Sequence, residues 1–437
     1  MSSLHPTERV VAITGLGIIS PIGIGIGPFW ESLEAARPGF NPIQGLAYSP
    51  LPGRIGGEVR DYNGVKLLRK DQRKGRKLMC REIEMGVASA TLALDDAGFT
   101  DDAALKAAVD PERLGVEFGA NLMLSPPEDL GAGSFHSIDP ATNAFNAELW
   151  GNKETGGMSK MEPLWLLKYL PNMPACHIGI GADARGPNNS LTMDEASGNL
   201  AMGEAMRIIA RNHADVMITG ATGTRVHAIK SMHAVLWDPL SPDGACRPFD
   251  TRRQGQVAAE GACTLILEEA KHAEARKAKI YGYILGAGAS CVLDKNQKPD
   301  YRRALVLAMN SALRDAEVTP DQIGHINAFG LGDKMTDLGE ARAIHEVFGD
   351  LGSKVPVTAL KSLLGNSGSG SGTLELAGSI VGLQHGVVPP TANADQPDPE
   401  CNLNLVLGKP LPIENKLFLK ISVTRLGQAS AIVARGA

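Results

Sequence analysis

Two adjacent acids, Asp194 and Glu195, lie in the run Gly186-Pro-Asn-Asn-Ser-Leu-Thr-Met-Asp-Glu-Ala-Ser-Gly198, at a turn before a helical pattern that continues through Met206 and Ile209. Acids in a first helical turn ordinarily cap the helix and complement its dipole; a carboxylate in a pocket there could also serve as a general base. Gly15-Leu-Gly17 follows a strand as a dinucleotide fingerprint would, but Ser20 stands where the third glycine belongs and Pro21 breaks the helix that should follow. Gly365-Asn-Ser-Gly-Ser-Gly-Ser-Gly372 lacks the Lys-Ser/Thr of a phosphate loop and runs into the apolar Thr373-Leu-Glu-Leu-Ala-Gly-Ser-Ile-Val, so it reads as a close-packed turn entering a buried helix. None of the six cysteines, Cys80, Cys176, Cys246, Cys263, Cys291 and Cys401, forms a C-x-x-C pair. His177, His227, His233, His325 and His345 show no ligand spacing, and no metal site is expected.

The elements that must position these residues alternate along the chain. The 437 residues, 43% apolar and 21% charged, suffice for two to four domains or one large duplicated body. Fifty glycines against 5% aromatics suit strands and helices that meet closely through tight turns. Arg9-Val-Val-Ala-Ile-Thr14, Asp215 to Thr219, Cys263 to Leu267 and Lys416 to Val423 read as buried strands. Leu305, Met309 and Leu313 mark a helix terminated by Pro320, and Ile83 to Ala97 a helix capped by Gly98. The fold class is therefore α/β, with a seam at a charged helix from Glu268 to Lys279 and a new strand from Ile280. Pro126 to Pro163 reads as a long irregular excursion and Pro389 to Asn402 as a loop. A net charge of -5, without a leader-like start or a long apolar stretch, points to a soluble cytoplasmic chain with no nucleic-acid partner and no membrane insertion.

Arg9-Val-Val-Ala-Ile-Thr-Gly-Leu-Gly, Gly186-Pro-Asn, Ala196-Ser-Gly198, Ala214-Asp-Val-Met-Ile-Thr-Gly-Ala, Arg247-Pro-Phe-Asp250, Ala259-Glu-Gly-Ala262, Asn327-Ala, Asp337-Leu-Gly-Glu340 and Lys361-Ser362 occur in an order that resembles the β-ketoacyl-acyl-carrier-protein synthases. The resemblance spans nearly the whole chain. It implies a thiolase-like fold, a five-layered αβαβα body of two similar α/β halves, here residues 1–269 and 270–437, and normally a dimer. It also implies a catalytic Cys-His-His set, and this sequence has Glu195, Phe329 and Asn366 at the matching positions. A carboxylate cannot replace a thiolate as a reusable acyl acceptor, because attack on a thioester would give a labile anhydride. Phe329 offers no hydrogen-bond donor to an enolate; Asn366 is expected still to donate. Leu331 and Asp333 replace pantetheine-tunnel hydroxyls, and Arg425 occupies an aromatic gate position. Lys361, Glu375, Asp337 and Glu340 keep the family pattern and suit a scaffold role.

The resemblance thus implies a β-ketoacyl synthase homologue of fatty acid or polyketide biosynthesis whose isolated chain does not condense. It would act as a chain-length-factor-like partner of an active ketosynthase paralogue, or as a homodimer. The alternative is a malonyl-carrier decarboxylase, or another acyl-thioester hydrolase or lyase using Glu195 with Asp194 or Asp333 assisting. No cofactor is expected beyond the phosphopantetheine thioester of an acyl carrier protein. The basic stretch Lys66 to Lys77, with Arg69, Lys70, Arg73 and Lys74, would dock that acidic carrier. Dimerisation is expected through the strand Asp215 to Ala221 and the helix before it.

Overall fold

The computed structural model describes residues 9–46, 53–152 and 154–437. Ten strands form its frame: β1 (Val11–Ser20), β2 (Leu114–Ala120), β3 (Asn188–Leu191), β4 (Val216–Thr224), β5 (Glu260–Glu269), β6 (Gly282–Cys291), β7 (His325–Asn327), β8 (Pro356–Thr358), β9 (Leu417–Val423) and β10 (Gln428–Gly436). The first five run β1-β5-β4-β2-β3 across one half-sheet, and the last five run β6-β10-β9-β7-β8 across the other. The pairing repeats: antiparallel β1 with β5 and β5 with β4, then parallel β4 with β2 and β2 with β3. In the second half β6–β10 and β10–β9 are antiparallel, while β9–β7 and β7–β8 are parallel. The halves join where Val11 to Ile13 pairs with Gly282 to Ile284.

Helices supply three further layers. Outer helices α1 (Arg81–Asp96) and α2 (Met173–Ala182) cover the first half-sheet, and α4 (Tyr301–Asp315) and α5 (Lys334–Phe348) the outer side of the second. Between the half-sheets lie α3 (Ser197–Ala210) and α6 (Ser369–Gln384), and every residue of α6 except the last, Gln384, is buried. This is the five-layered thiolase-like architecture. Three apolar cores follow from it, one central and one beneath each outer helical layer.

Gly15 and Gly17 continue β1 instead of turning towards a nucleotide, and a shift in register marks the position of Gly15. A Cβ at either would strike the backbone of α1 at Ala93 or Ser89. The second half repeats the device: β6 shifts register at Gly286, and Cβ atoms at Gly286 and Gly288 would strike the backbone of α4. The glycines serve close helix-on-strand packing, which no side chain could allow.

Several expectations need correction. Glu268 and Glu269 end strand β5, so the helix at the seam is only Ala270–Ala275, and the next strand begins at Gly282 instead of Ile280. Helix α4 stops at Asp315, where Glu317 turns into positive φ; Pro320 instead opens a short 3-10 turn. The excursion after Pro126 carries a helix (Pro127–His136), a two-residue hairpin and a second short helix (Ala147–Gly151). Strand β4 cannot be an interface edge, because β5 and β2 pair with both of its sides. The open edge of that half-sheet is β3, whose Asn188 and Asn189 are exposed.

Candidate functional site

Glu195 is placed by a strained approach to α3. After β3 the chain reaches Asp194 with φ 48, a conformation costly for a residue with a side chain, and Asp194 to Ala196 then form one 3-10 turn before α3 begins at Ser197. The turn directs Glu195 inward, where only 5% of it is exposed. Its Oε1 accepts hydrogen bonds from Arg225 Nη2 at 2.7 Å and Asn366 Nδ2 at 2.9 Å; Oε2 is buried without a partner. Arg225, one residue beyond β4, also pairs with Asp194 at 2.8 Å and Asp238 at 3.3 Å. Burial pushes the Glu195 carboxyl above its ordinary range, Arg225 pulls it back, and Asp194 adds repulsion. Burial alone would lower the Arg225 guanidinium, but its three carboxylates reverse that and hold it charged.

Asn366 does not keep the free donor expected of it. Its amide donates to Glu195 and, at 2.5 Å, to Gln256 Oε1, which uses both hydrogens. Its Oδ1 accepts from the Gly368 N–H at 3.0 Å and Ser371 Oγ at 3.2 Å, which fixes the orientation of the amide. The glycine-serine run is thus a buried turn built around Asn366 that leads into α6.

Behind Phe329 lies a second polar cluster. Lys361 Nζ donates to Glu375 Oε1 at 2.5 Å, and Lys420 pairs with Glu375 Oε2 at 2.5 Å, all three at 0% exposure. The Phe329 ring covers Lys361, with Nζ 3.9 Å from its centroid. Glu340 accepts the N–H groups of Phe329 at 2.6 Å and Gly330 at 2.9 Å. Asp337 accepts those of Phe249 at 2.8 Å and Gly332 at 3.1 Å, with Arg253 Nε 3.8 Å away. Burial moves the Asp337 carboxyl up to about 8 and the Lys420 ammonium down to about 8, in each case against the pull of its partners. The four residues expected to form a scaffold do come together, joined by Lys420 and Arg253.

Glu195, Phe329, Leu331, Asp333 and Arg425 line one cavity of about 240 Å³, with Gln256, Asp238, Tyr301 and Trp237. Asp333 caps α5, accepting from the Thr336 N–H at 2.9 Å and Oγ1 at 2.8 Å, so helix capping already occupies the side chain proposed to assist Glu195. Arg425 is exposed in the turn between β9 and β10, and Leu426 and Trp237 are exposed beside the same cavity. In the basic stretch, Arg69 is withdrawn from docking: it pairs with Asp95 at 3.3 Å and Asp102 at 3.1 Å and donates to the Phe99 carbonyl. Arg76 is tied to Glu84 at 2.5 Å. Lys66, Lys70, Arg73, Lys74 and Lys77 remain exposed.

Sequence reasoning missed Arg225, Asp238, Gln256 and Lys420. Lys420 carried a signal, a lone charge inside a mostly apolar strand. Among the described residues no group of three or more His, Cys, Asp or Glu side chains could hold a metal, and no helix is long and apolar enough to cross a membrane. All six cysteines are free thiols.

Residues 8–273 match the beta-ketoacyl synthase N-terminal domain family, and residues 281–395 the C-terminal domain family. The chain is 32% identical to 3-oxoacyl-[acyl-carrier-protein] synthase 2 of Coxiella burnetii, over 91% of this chain and 92% of that protein. It is 31% identical to the oxytetracycline polyketide putative beta-ketoacyl synthase 1 of Streptomyces rimosus, over 93% and 92%. Among solved structures, the ishigamide ketosynthase/chain length factor superposes with a TM-score of 0.82 at 27% identity, covering 99% of this chain and 100% of that one.

Proposed function

This chain belongs to the β-ketoacyl synthase family of fatty acid and type II polyketide systems, and on that premise we propose that it is a non-condensing, chain-length-factor-like subunit that pairs with an active ketosynthase paralogue. The observation that carries the reading is the state of Asn366: both of its N–H groups are held inside the protein, one by the Glu195 carboxylate and one by the Gln256 amide oxygen. A condensing site needs a thiolate to carry the acyl group and donors to stabilise the enolate left by decarboxylation. Here Glu195 cannot carry the acyl group, and neither Phe329 nor Asn366 has a donor to spare. Loss of a single oxyanion donor typically costs about 2.7 to 4 kcal/mol of transition-state stabilisation.

The acid cluster counts against the decarboxylase reading, since Asp194, Glu195 and Asp238 surround a single arginine and would repel a malonyl carboxylate. Pairing is assigned to the open edge of β3, flanked by α2 with Ile180 80% exposed. Carrier docking falls to Lys70, Arg73 and Lys74, without Arg69. The ishigamide relative is a ketosynthase/chain length factor, which supports a paralogue as the partner.

The test is co-expression with an intact Cys-His-His ketosynthase encoded beside it, followed by light scattering and assay of each chain alone and together. A one-to-one complex is expected, with condensation dependent on the paralogue and no acyl adduct on this chain by intact mass. A monomer both alone and in the mixture, or an adduct that survives denaturation, would overturn the reading.

A further inference from the structure

At its Glu195 end the cavity offers acceptors and no free donor; the Trp237 indole and the Arg425 guanidinium, which also line it, lie at the exposed rim. Glu195 Oε2, on a side chain more than nine-tenths buried, has no partner within the protein. Asn366 has spent its hydrogens, and Arg225 is engaged by three carboxylates. Counting the groups that line the cavity or pair with Arg225, four carboxylates (Asp194, Glu195, Asp238 and Asp333) face two guanidiniums, Arg225 and the exposed Arg425. The remaining lining includes the aromatic residues Phe329, Tyr301 and Trp237.

Arg425 at the rim aside, these features select against a carbonyl or a carboxylate and for an ammonium group. A buried acceptor without a donor is costly, and a ligand N–H would satisfy it. A cation is drawn to surplus carboxylates and to aromatic faces alike. A volume of about 240 Å³ falls below the roughly 300 to 1,000 Å³ usual for drug-sized ligands, so the ligand is small. We propose that this cavity binds a small primary amine, its ammonium donating to Glu195 Oε2 and its short apolar chain lying against the aromatic lining. The inference stands apart from the subunit reading: a chain that never pairs could bind the amine, and a pairing chain could fail to.

The experiment is calorimetry on the full chain at pH 8 and low salt with n-butylamine, n-butanol and butyrate. Saturable binding of n-butylamine is expected, with n-butanol at least about tenfold weaker and butyrate not bound. Glu195→Gln keeps the side-chain shape and an acceptor for Arg225, and should weaken the amine about tenfold or more. Arg425→Gln leaves the buried cluster intact, removes a competing cation at the surface, and should strengthen it. Equal affinity for amine and alcohol, preference for butyrate, wild-type affinity in Glu195→Gln, or no gain in Arg425→Gln would overturn the proposal. So would the absence of saturable amine binding.

Discussion

The cluster around Arg225 and the cluster around Glu375 are made of the same kinds of group and lie on opposite sides of one phenyl ring. In the second, three cations (Lys361, Lys420 and Arg253) meet three carboxylates (Glu375, Glu340 and Asp337), and the backbone supplies further donors. In the first, one guanidinium meets three carboxylates, and a buried oxygen is left without a donor. The balanced cluster matches its charges within the fold, although Glu375 Oε2 and Arg253 Nε have ion-pair neighbours and no aligned hydrogen bond, and Phe329 separates it from the cavity. The unbalanced one retains a demand that only something outside the chain can meet. The difference separates charge kept to hold the structure from charge left available to a ligand.

The comparison is broken most directly at Glu375. Glu375→Gln leaves two fully buried lysines facing no carboxylate at that point, and should cost about 3 to 5 kcal/mol in denaturant unfolding. If it proves as mild as changes at Glu195, the claimed contrast fails. Arg225→Met should cost less, about 2 kcal/mol near neutral pH, because Asp194 is partly exposed and can recover solvent. Without the guanidinium the carboxylates resist ionising in the fold, so that loss should grow as pH rises from about 4 and disappear below it, where both states are protonated. A pH-independent deficit would assign Arg225 to packing alone. Glu195→Gln should have the smallest effect. Burial raises this carboxyl, so the folded state holds its proton more tightly than the unfolded one, and stability falls as pH rises above the ordinary glutamate value near 4.3. The glutamine variant should match the wild type below that pH and equal or slightly exceed it at pH 8 by thermal melting.

The architecture was legible because the order and spacing of the short motifs run through nearly the whole chain. Strand signals at Arg9, Asp215, Cys263 and Lys416 each fell on a real strand, since apolar runs bounded by glycine or charge report burial on both faces. Helix ends were less legible: the charged run after Glu268 looked helical, yet its first two residues belong to a buried strand, and tertiary pairing overrode local pattern. At the cavity, the positions of Glu195, Phe329 and Asn366 could be read along the chain, but their hydrogen bonds could not. Asn366 was credited with a free donor because nothing local announces that Gln256, 110 residues away, accepts its second hydrogen. Arg225 escaped notice for the same reason, and Arg69 was given to the surface although its partners lie 26 and 33 residues further on.

The paired glycines of β1 and β6 bear on where this molecule can flex. At Gly15, Gly17, Gly286 and Gly288 an outer helix rests on strand backbone with no side chain between them, so there is no rotamer to absorb a sliding movement. Each outer slab is in this sense bolted to its sheet. Compliance is left to the cavity rim, to the exposed side chains of Trp237 on one side and of Arg425 and Leu426 on the other; the backbone behind Trp237 is itself held, where Gly255 packs against Pro239 and the Gln256 N–H donates to the Pro239 carbonyl at 2.8 Å. Entry of a ligand should therefore be felt as a movement of these two rims against a stiff body.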